Sequence, residues 1–255
     1  MFAPVGPASV GDSGQSHTAA GSMTQLSLVS EPTTKSELSK EVLRHFSYET
    51  KQFNYIDRRV WIEHFNQLPL DPYVKQGFRY KAISWHNIEL KIHGFPEDKV
   101  ITLEHRALQQ SAAYNPAHGD LRRDYPPVPS SLLERPDFER LILDYARFFK
   151  IAPEDTILFQ LQRIDCLTDR PGRVAVEVMN RDNITGAETQ ISTDSKGENI
   201  VYRHTLQEGE GMYLNDRAFY HYGTDIFVAD PASSDRGVRD IVLMSAPSQQ
   251  HRALQ

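Results

Sequence analysis

The sequence predicts an α+β chain in which helices come first and a core of short strands, a sandwich or jelly roll, follows. Three observations carry that expectation. Between residues 138 and 149, Phe138, Leu141, Ile142, Tyr145, Phe148 and Phe149 recur at i, i+3, i+4 and i+7, the period of one helix face. Beyond Asp155 the pattern changes to short alternating runs. Turn signals part those runs at regular intervals: Arg170-Pro171-Gly172, Ile184-Thr185-Gly186, Ser195-Lys196-Gly197 and Glu208-Gly209-Glu210-Gly211. No internal repeat is visible.

Taken in order, residues 1–33 are mostly small and polar, carry no Arg, and lack periodic apolar positions, so they are expected to be a disordered tail. They contain neither a basic n-region nor an apolar h-region, which argues against a secretory signal. The folded domain is expected over 34–255. Thr34 and Glu37 have capping-box spacing, and Leu38, Val42, Leu43 and Phe46 follow at helical spacing. A second helix is expected from Asp57, with Val60, Trp61, His64 and Phe65 on one face. Residues 78–85, 89–93 and 100–105 read as strands. Residues 114–129 read as a loop broken by Pro116, Gly119, Pro126, Pro127 and Pro129. After the central helix, with Lys150 near its C-terminus, strands are expected at 156–166, 174–179, 189–192, 199–206, 211–214, 219–222 and 238–245.

Composition limits the function classes. Across 255 residues, 39% are apolar and 24% charged, as in a globular protein of one domain or at most two small ones. A net charge of −6 argues against nucleic acid as a main partner. No apolar run approaches the ~18 residues of a membrane span. The single cysteine, Cys166, cannot form an internal disulfide, which suits the cytoplasm. The expected partner is a small molecule.

Phosphate-binding loops, dinucleotide fingerprints, nucleophile elbows and H-E-x-x-H are all absent. Cys166 lies beside Asp165, which raises a thiol pKa and argues against a nucleophile. The strongest signal is late in the chain: His221, and eighteen residues on Arg239-Asp240. In a jelly roll these can face one cavity, the imidazole as a metal ligand and the Arg as a two-bonded carboxylate clamp. Spacing alone equally allows a satisfied core His and a surface Arg paired with Asp240.

Five segments in order tip that balance: QQSAAYNPAHGDLRR (109–123), FQLQRI (159–164), MNRDNITG (179–186), the His221 segment and the Arg239-Asp240 segment. From about Tyr73 to Ala246 the chain resembles the iron(II)/2-oxoglutarate dioxygenases that include free-amino-acid hydroxylases, isoleucine 4-hydroxylase among them. The resemblance implies a double-stranded β-helix (jelly-roll, cupin-like) core, with Fe(II) and 2-oxoglutarate as cofactors. It implies His221 as the distal iron ligand and Arg239 as the clamp on the distal carboxylate of 2-oxoglutarate. The implied chemistry is decarboxylation of 2-oxoglutarate to succinate coupled to oxidation, usually hydroxylation, of an amino acid or a derivative. Arg163, Gln162, Tyr114 and Arg79 lie on segments that in relatives approach the active site.

One departure stands out. The family places an H-x-D pair between the first core strand and the Asn-Arg segment, and residues 167–173 (LTDRPGR) contain no His. Iron of this class needs two His and a carboxylate. A segment lost through splicing or a faulty gene model, an inactive relative, and an enzyme with only a His and a distant acid on iron all stay open. His118-Gly119-Asp120 is the one H-x-D in the chain, but it lies where relatives do not bind iron. Glu177 reads as outward-facing, His204 as a surface or core residue, and His86 fits no metal spacing. Residues 183–186 read as a structural turn.

Overall fold

The computed structural model describes residues 48–74, 77–89, 98–110, 120–167, 177–214 and 219–246. The 1–33 tail, the capping box at Thr34 and Tyr114 lie outside them. Helix α1 (Arg58–Asn66) buries Trp61 and Phe65, one turn apart, as its periodicity requires. After a short helix α2 (Ser130–Leu133) comes α3 (Pro136–Phe149), with Pro136 opening it and Asp137 and Glu139 in its first turn. Lys150 ends it in the left-handed conformation, at φ 51°.

The strands are β1 (Tyr48–Gln52), β2 (Arg79–Glu89), β3 (Lys99–Thr102), β4 (Ile157–Leu167), β5 (Glu177–Asp182), β6 (Ile184–Gly186), β7 (Thr189–Ser192), β8 (Ile200–His204), β9 (Glu210–Leu214), β10 (Tyr220–Gly223), β11 (Ile226–Val228) and β12 (Arg236–Ser245). A five-stranded antiparallel sheet has the order β3-β2-β4-β12-β5, and a three-stranded sheet the order β10-β7-β8. Strand β1 pairs with β9 and β6 with β11. This is the predicted jelly roll with helices outside it.

Two apolar layers hold the sheets. The outer layer packs Trp61, Phe65, Phe138, Leu141 and Ile142 of the helices against Ile157, Phe159 and Leu161 of β4. The inner layer joins Ile164, Val178 and Ile241 of the large sheet to Ile191 of β7 and to Ala187, Leu206, Met212 and Ile226. Alternate residues of β4 therefore enter different layers.

The structure departs from the expectation in several places. Residues 78–85 and 89–93 are not separate strands within the described residues, because β2 runs unbroken to Glu89. Residues 184–186 form a strand on β11 rather than only a turn; Asn183, at φ 47°, makes the bend before it. Strands β1 and β11 and the short helix α2 are additions.

Candidate functional site

Antiparallel register decides which predicted residues share a face, because directly opposed residues point to the same side of a sheet. Arg79, Ile164, Arg239 and Arg181 form one row across β2, β4, β12 and β5. Lys81, Gln162, Ile241 and Val178 form the next. Ile164, Ile241 and Val178 belong to the inner layer, so both rows face into the jelly roll. Three predicted residues, Arg79, Gln162 and Arg239, are thus brought to one inner surface.

Arg239 is fully buried. Burial, reinforced by the neighbouring charge of Arg181, pulls its guanidinium down to about 9. A buried cation beside a second cation is stabilised by an anion, and a guanidinium presents the fork that matches a carboxylate. Arg181 is itself tied down: its Nη2 donates to the Gly186 carbonyl at 3.1 Å, and its backbone N–H to Glu208 Oε1 at 2.9 Å. Arg79 is held by Asp71, which accepts from Nε and lies near Nη2, each at 2.7 Å.

Arg163 does not join this surface. One step along β4, it faces the helices, opposite Tyr80 and Asp240. Its Nε and Nη2 donate to the two Asp240 oxygens at 2.6 and 2.7 Å, and its Nη1 donates to Asn66 of α1 at 2.6 Å. Asn180 also donates to Asp240, at 3.1 Å. A substrate role for Arg163 is therefore corrected to a structural one: its donors are engaged in tying the sheet to α1. Asp240 likewise pairs with Arg163, so Arg239 is not the surface partner that sequence spacing allowed.

His221 lies on β10, opposite Ile191 of β7. Ile191 belongs to the inner layer, so His221 stands on the inner side of the small sheet, across from the large sheet that carries Arg239. His221 is exposed, and β10 is an edge strand of its sheet among the described residues.

Other candidates resolve into structural roles. His86 is buried between Ser84 Oγ at 2.7 Å and Thr102 Oγ1 at 3.2 Å, and burial lowers its pKa to about 4. His204 meets Glu210 at 2.8 Å. Cys166 is buried, and burial, with Asp165 adding to it, pushes its thiol pKa up. His118 lies outside the described residues, and Asp120 is exposed at φ 62°.

Sequence reasoning missed Lys81, Arg123 and Tyr125, which crowd the inner surface beside Arg79. Lys81 is 5% exposed, and its Nζ lies 4.6 Å from the centre of the Tyr125 ring. A surface cavity of about 820 Å³ between β1 and α3, bordered by Lys51, Tyr55, Arg140 and Phe148, contains none of the predicted site residues.

The fold is an antiparallel jelly roll whose large sheet carries cations on its inner face and whose smaller sheet carries His221. The chain belongs to the 2OG-Fe dioxygenase family, whose model matches residues 62–245. Among solved structures it is similar to a bsmA homologue from Methylobium petroleophilum PM1, with 21% identity and a TM-score of 0.65, over 83% of this chain and 93% of that one. It is also similar to IDO from Bacillus thuringiensis, with 14% identity and a TM-score of 0.59, over 88% of this chain and 100% of that one. The Fe(II)/α-ketoglutarate-dependent dioxygenase TqaL matches with 12% identity and a TM-score of 0.53, over 83% and 86%. At these identities the likeness carries the fold. Comparison with curated protein sequences finds no match.

The family name implies iron and 2-oxoglutarate, and the two fit unequally. Arg239 suits a carboxylate of 2-oxoglutarate. Iron needs a cluster of donors, and among the described residues no three His, Cys, Asp or Glu side chains come together to hold a metal.

Proposed function

We propose that the chain binds 2-oxoglutarate through Arg239 inside the jelly roll and serves oxidation of a small substrate, a free amino acid or a derivative. The observation that carries this reading is Arg239 itself: a fully buried guanidinium on the inner face, next to a second guanidinium. Gln162 and Arg79 on the same face, and His221 on the facing sheet, support it. Resemblance to the amino-acid hydroxylases supplies the substrate class.

A second reading is a catalytically inactive jelly roll that binds a small carboxylate. Strands β4 and β5 are both antiparallel to β12 and so run parallel to each other. Only nine residues, 168–176, join them, against the dozen or more that a parallel crossover ordinarily uses. Those nine include no His, so the shortness falls where the family's H-x-D pair would stand.

Calorimetric titration with 2-oxoglutarate, without and with Fe(II), tests both. Binding that Arg239→Ala weakens at least tenfold supports the clamp, and binding unaffected by Arg239→Ala refutes it. Succinate formed with Fe(II) present selects the enzyme; binding without succinate selects the inactive binder.

A further inference from the structure

The geometry points to a second carboxylate site, built from Lys81, Arg123, Tyr125 and Gln162 on the inner face of the large sheet. It needs no iron and stands whether or not the chain is an oxygenase. Lys81 and Gln162 are direct cross-strand partners on β2 and β4. The segment 123–128 runs along the other edge of β2, where the Ile83 N–H donates to the Pro126 carbonyl and the Val128 N–H to the Ile83 carbonyl. It carries Arg123 and Tyr125 in to meet Lys81.

All four side chains are deeply buried: Lys81 is 5% exposed, Arg123 3%, Tyr125 2% and Gln162 2%. Buried polar groups ordinarily have partners. Here Arg123 Nε, Tyr125 Oη and Gln162 Nε2 make no hydrogen bond among the described residues. Each can donate. The Lys81 ammonium adds three donors and rests on the Tyr125 ring. Arg123 Nη2 donates to the neutral Gln110 side-chain oxygen; the remaining donors, which carry charge, suit an acceptor-only anion, and a carboxylate presents two such oxygens.

The charges facing Lys81 reinforce this. Arg79 on its own strand and Arg123 on the adjoining segment are cationic, and Asp71 is the facing carboxylate. Asp71 is already engaged by Arg79 and by the Tyr73 N–H. Burial, then the charge of Arg79, brings the Lys81 ammonium down to about 7, so an arriving anion restores its proton. Lys81 and Arg239 lie on strands two places apart in the sheet, about 10 Å at ordinary strand spacing. The bound carboxylate can thus belong to a second molecule or to the far end of the one on Arg239.

The test follows the Lys81 side chain in intact protein made with ¹³Cε-lysine, its resonance assigned by its loss in Lys81→Met. No iron is added. The resonance is titrated with pH in chloride buffer, then with sodium acetate, L-leucine or 2-oxoglutarate. The expected result is a midpoint near pH 7 that saturating acetate raises by about one unit, a tenfold gain in proton affinity. In Arg123→Gln, half-saturation needs at least fivefold more acetate. A shift with L-leucine that survives Arg239→Ala assigns the site to a separate substrate. A shift with 2-oxoglutarate that Arg239→Ala abolishes assigns it to that molecule's other carboxylate. A midpoint that none of the three anions moves, or acetate affinity unchanged in Arg123→Gln, overturns the site.

Discussion

A lysine inside a β-sandwich should cost stability, and Lys81→Met exposes the cost. The variant keeps a long unbranched stem and removes the ammonium. Burial, chiefly, lowers the Lys81 pKa from 10.5 to about 7. The sign is set by proton binding. Between those values the unfolded chain holds the proton and the native chain does not, so wild-type stability rises with pH through that window. Below the native value both states are protonated and the full penalty of the buried charge remains. At 1.36 kcal/mol per pKa unit, the wild type carries about 5 kcal/mol of penalty at pH 6 and about 2 kcal/mol at pH 9. With 5% exposure, solvent screening offsets little of this. Lys81→Met should therefore gain stability over wild type, with the gain shrinking by about 3 kcal/mol between pH 6 and pH 9. Urea unfolding of both proteins at the two pH values measures it, and groups common to both cancel in the difference. A gain that is independent of pH would refute the buried, proton-losing Lys81 on which the reasoning depends.

Other perturbations probe the frame around the site. Asp240→Ala leaves buried Arg163 with Asn66 as its hydrogen-bond partner among the described residues, and should cost about 3–5 kcal/mol; Arg163→Met/Asp240→Leu should recover most of it, by denaturant midpoint. Asp137→Ala removes the acceptor for the buried Trp61 indole N–H, at 3.0 Å, and for the Asp57 N–H, at 3.1 Å, and should cost about 2–3 kcal/mol by the same measurement. Burial alone would raise the Asp137 pKa, but Arg135, Trp61 and the Asp57 N–H outweigh it and lower it. Its contribution is therefore present above the ordinary carboxylate range and lost as pH falls through the native value, so wild type should lose more stability on acidification than Asp137→Ala. His221→Ala should abolish such Fe(II) binding as the chain has, read by metal titration, and binding retained in the variant would place the metal elsewhere.

Periodicity carried much of the fold because burial enforces it. Helix α3 and strand β7 sit where their spacing placed them, and β4 and β12 differ only at their ends. The misses lie where the local pattern is silent. Strand β1, YETKQ, has no apolar alternation, and its partner β9 lies about 160 residues along the chain, so distant pairing creates it. Strands β6 and β11 have three residues each, too few for a period to show. At the site, resemblance pointed to segments and not to faces: Arg239 and Gln162 lie on the inner face, whereas Arg163, a single step along β4, faces the helices. Lys81 was invisible for a related reason. In β2 the alternating sets Arg79, Lys81, Ile83 and Trp85, and Tyr80, Ala82, Ser84 and His86, are both partly polar, so neither marks itself as the inner face. Residues 123–128 bury Lys81, and nothing in the local pattern announces that contact.

The two faces of the large sheet treat charge in opposite ways, one residue apart. Toward the helices, Arg163 meets Asp240 in a two-bonded pair with Asn66 and Asn180 completing it, and burial there leaves no excess charge. Toward the interior, Arg79, Lys81, Arg123, Arg181 and Arg239 gather, with Asp71 bound to Arg79 and Glu208 near Arg181. Both faces belong to the same strands, so neither composition nor solvent access to the sheet as a whole accounts for the contrast. A buried pair can be neutral or better for stability, whereas an unmatched buried charge is costly. Packing alone would give the inner face the apolar residues that Ile164, Val178 and Ile241 already supply in the same rows. Cations gathered this densely suit a ligand that brings further negative charge. Spread across β2, β12 and β5, with Arg123 on the segment beside β2, they outline a surface for carboxylates broader than the single guanidinium that resemblance to the family assigned.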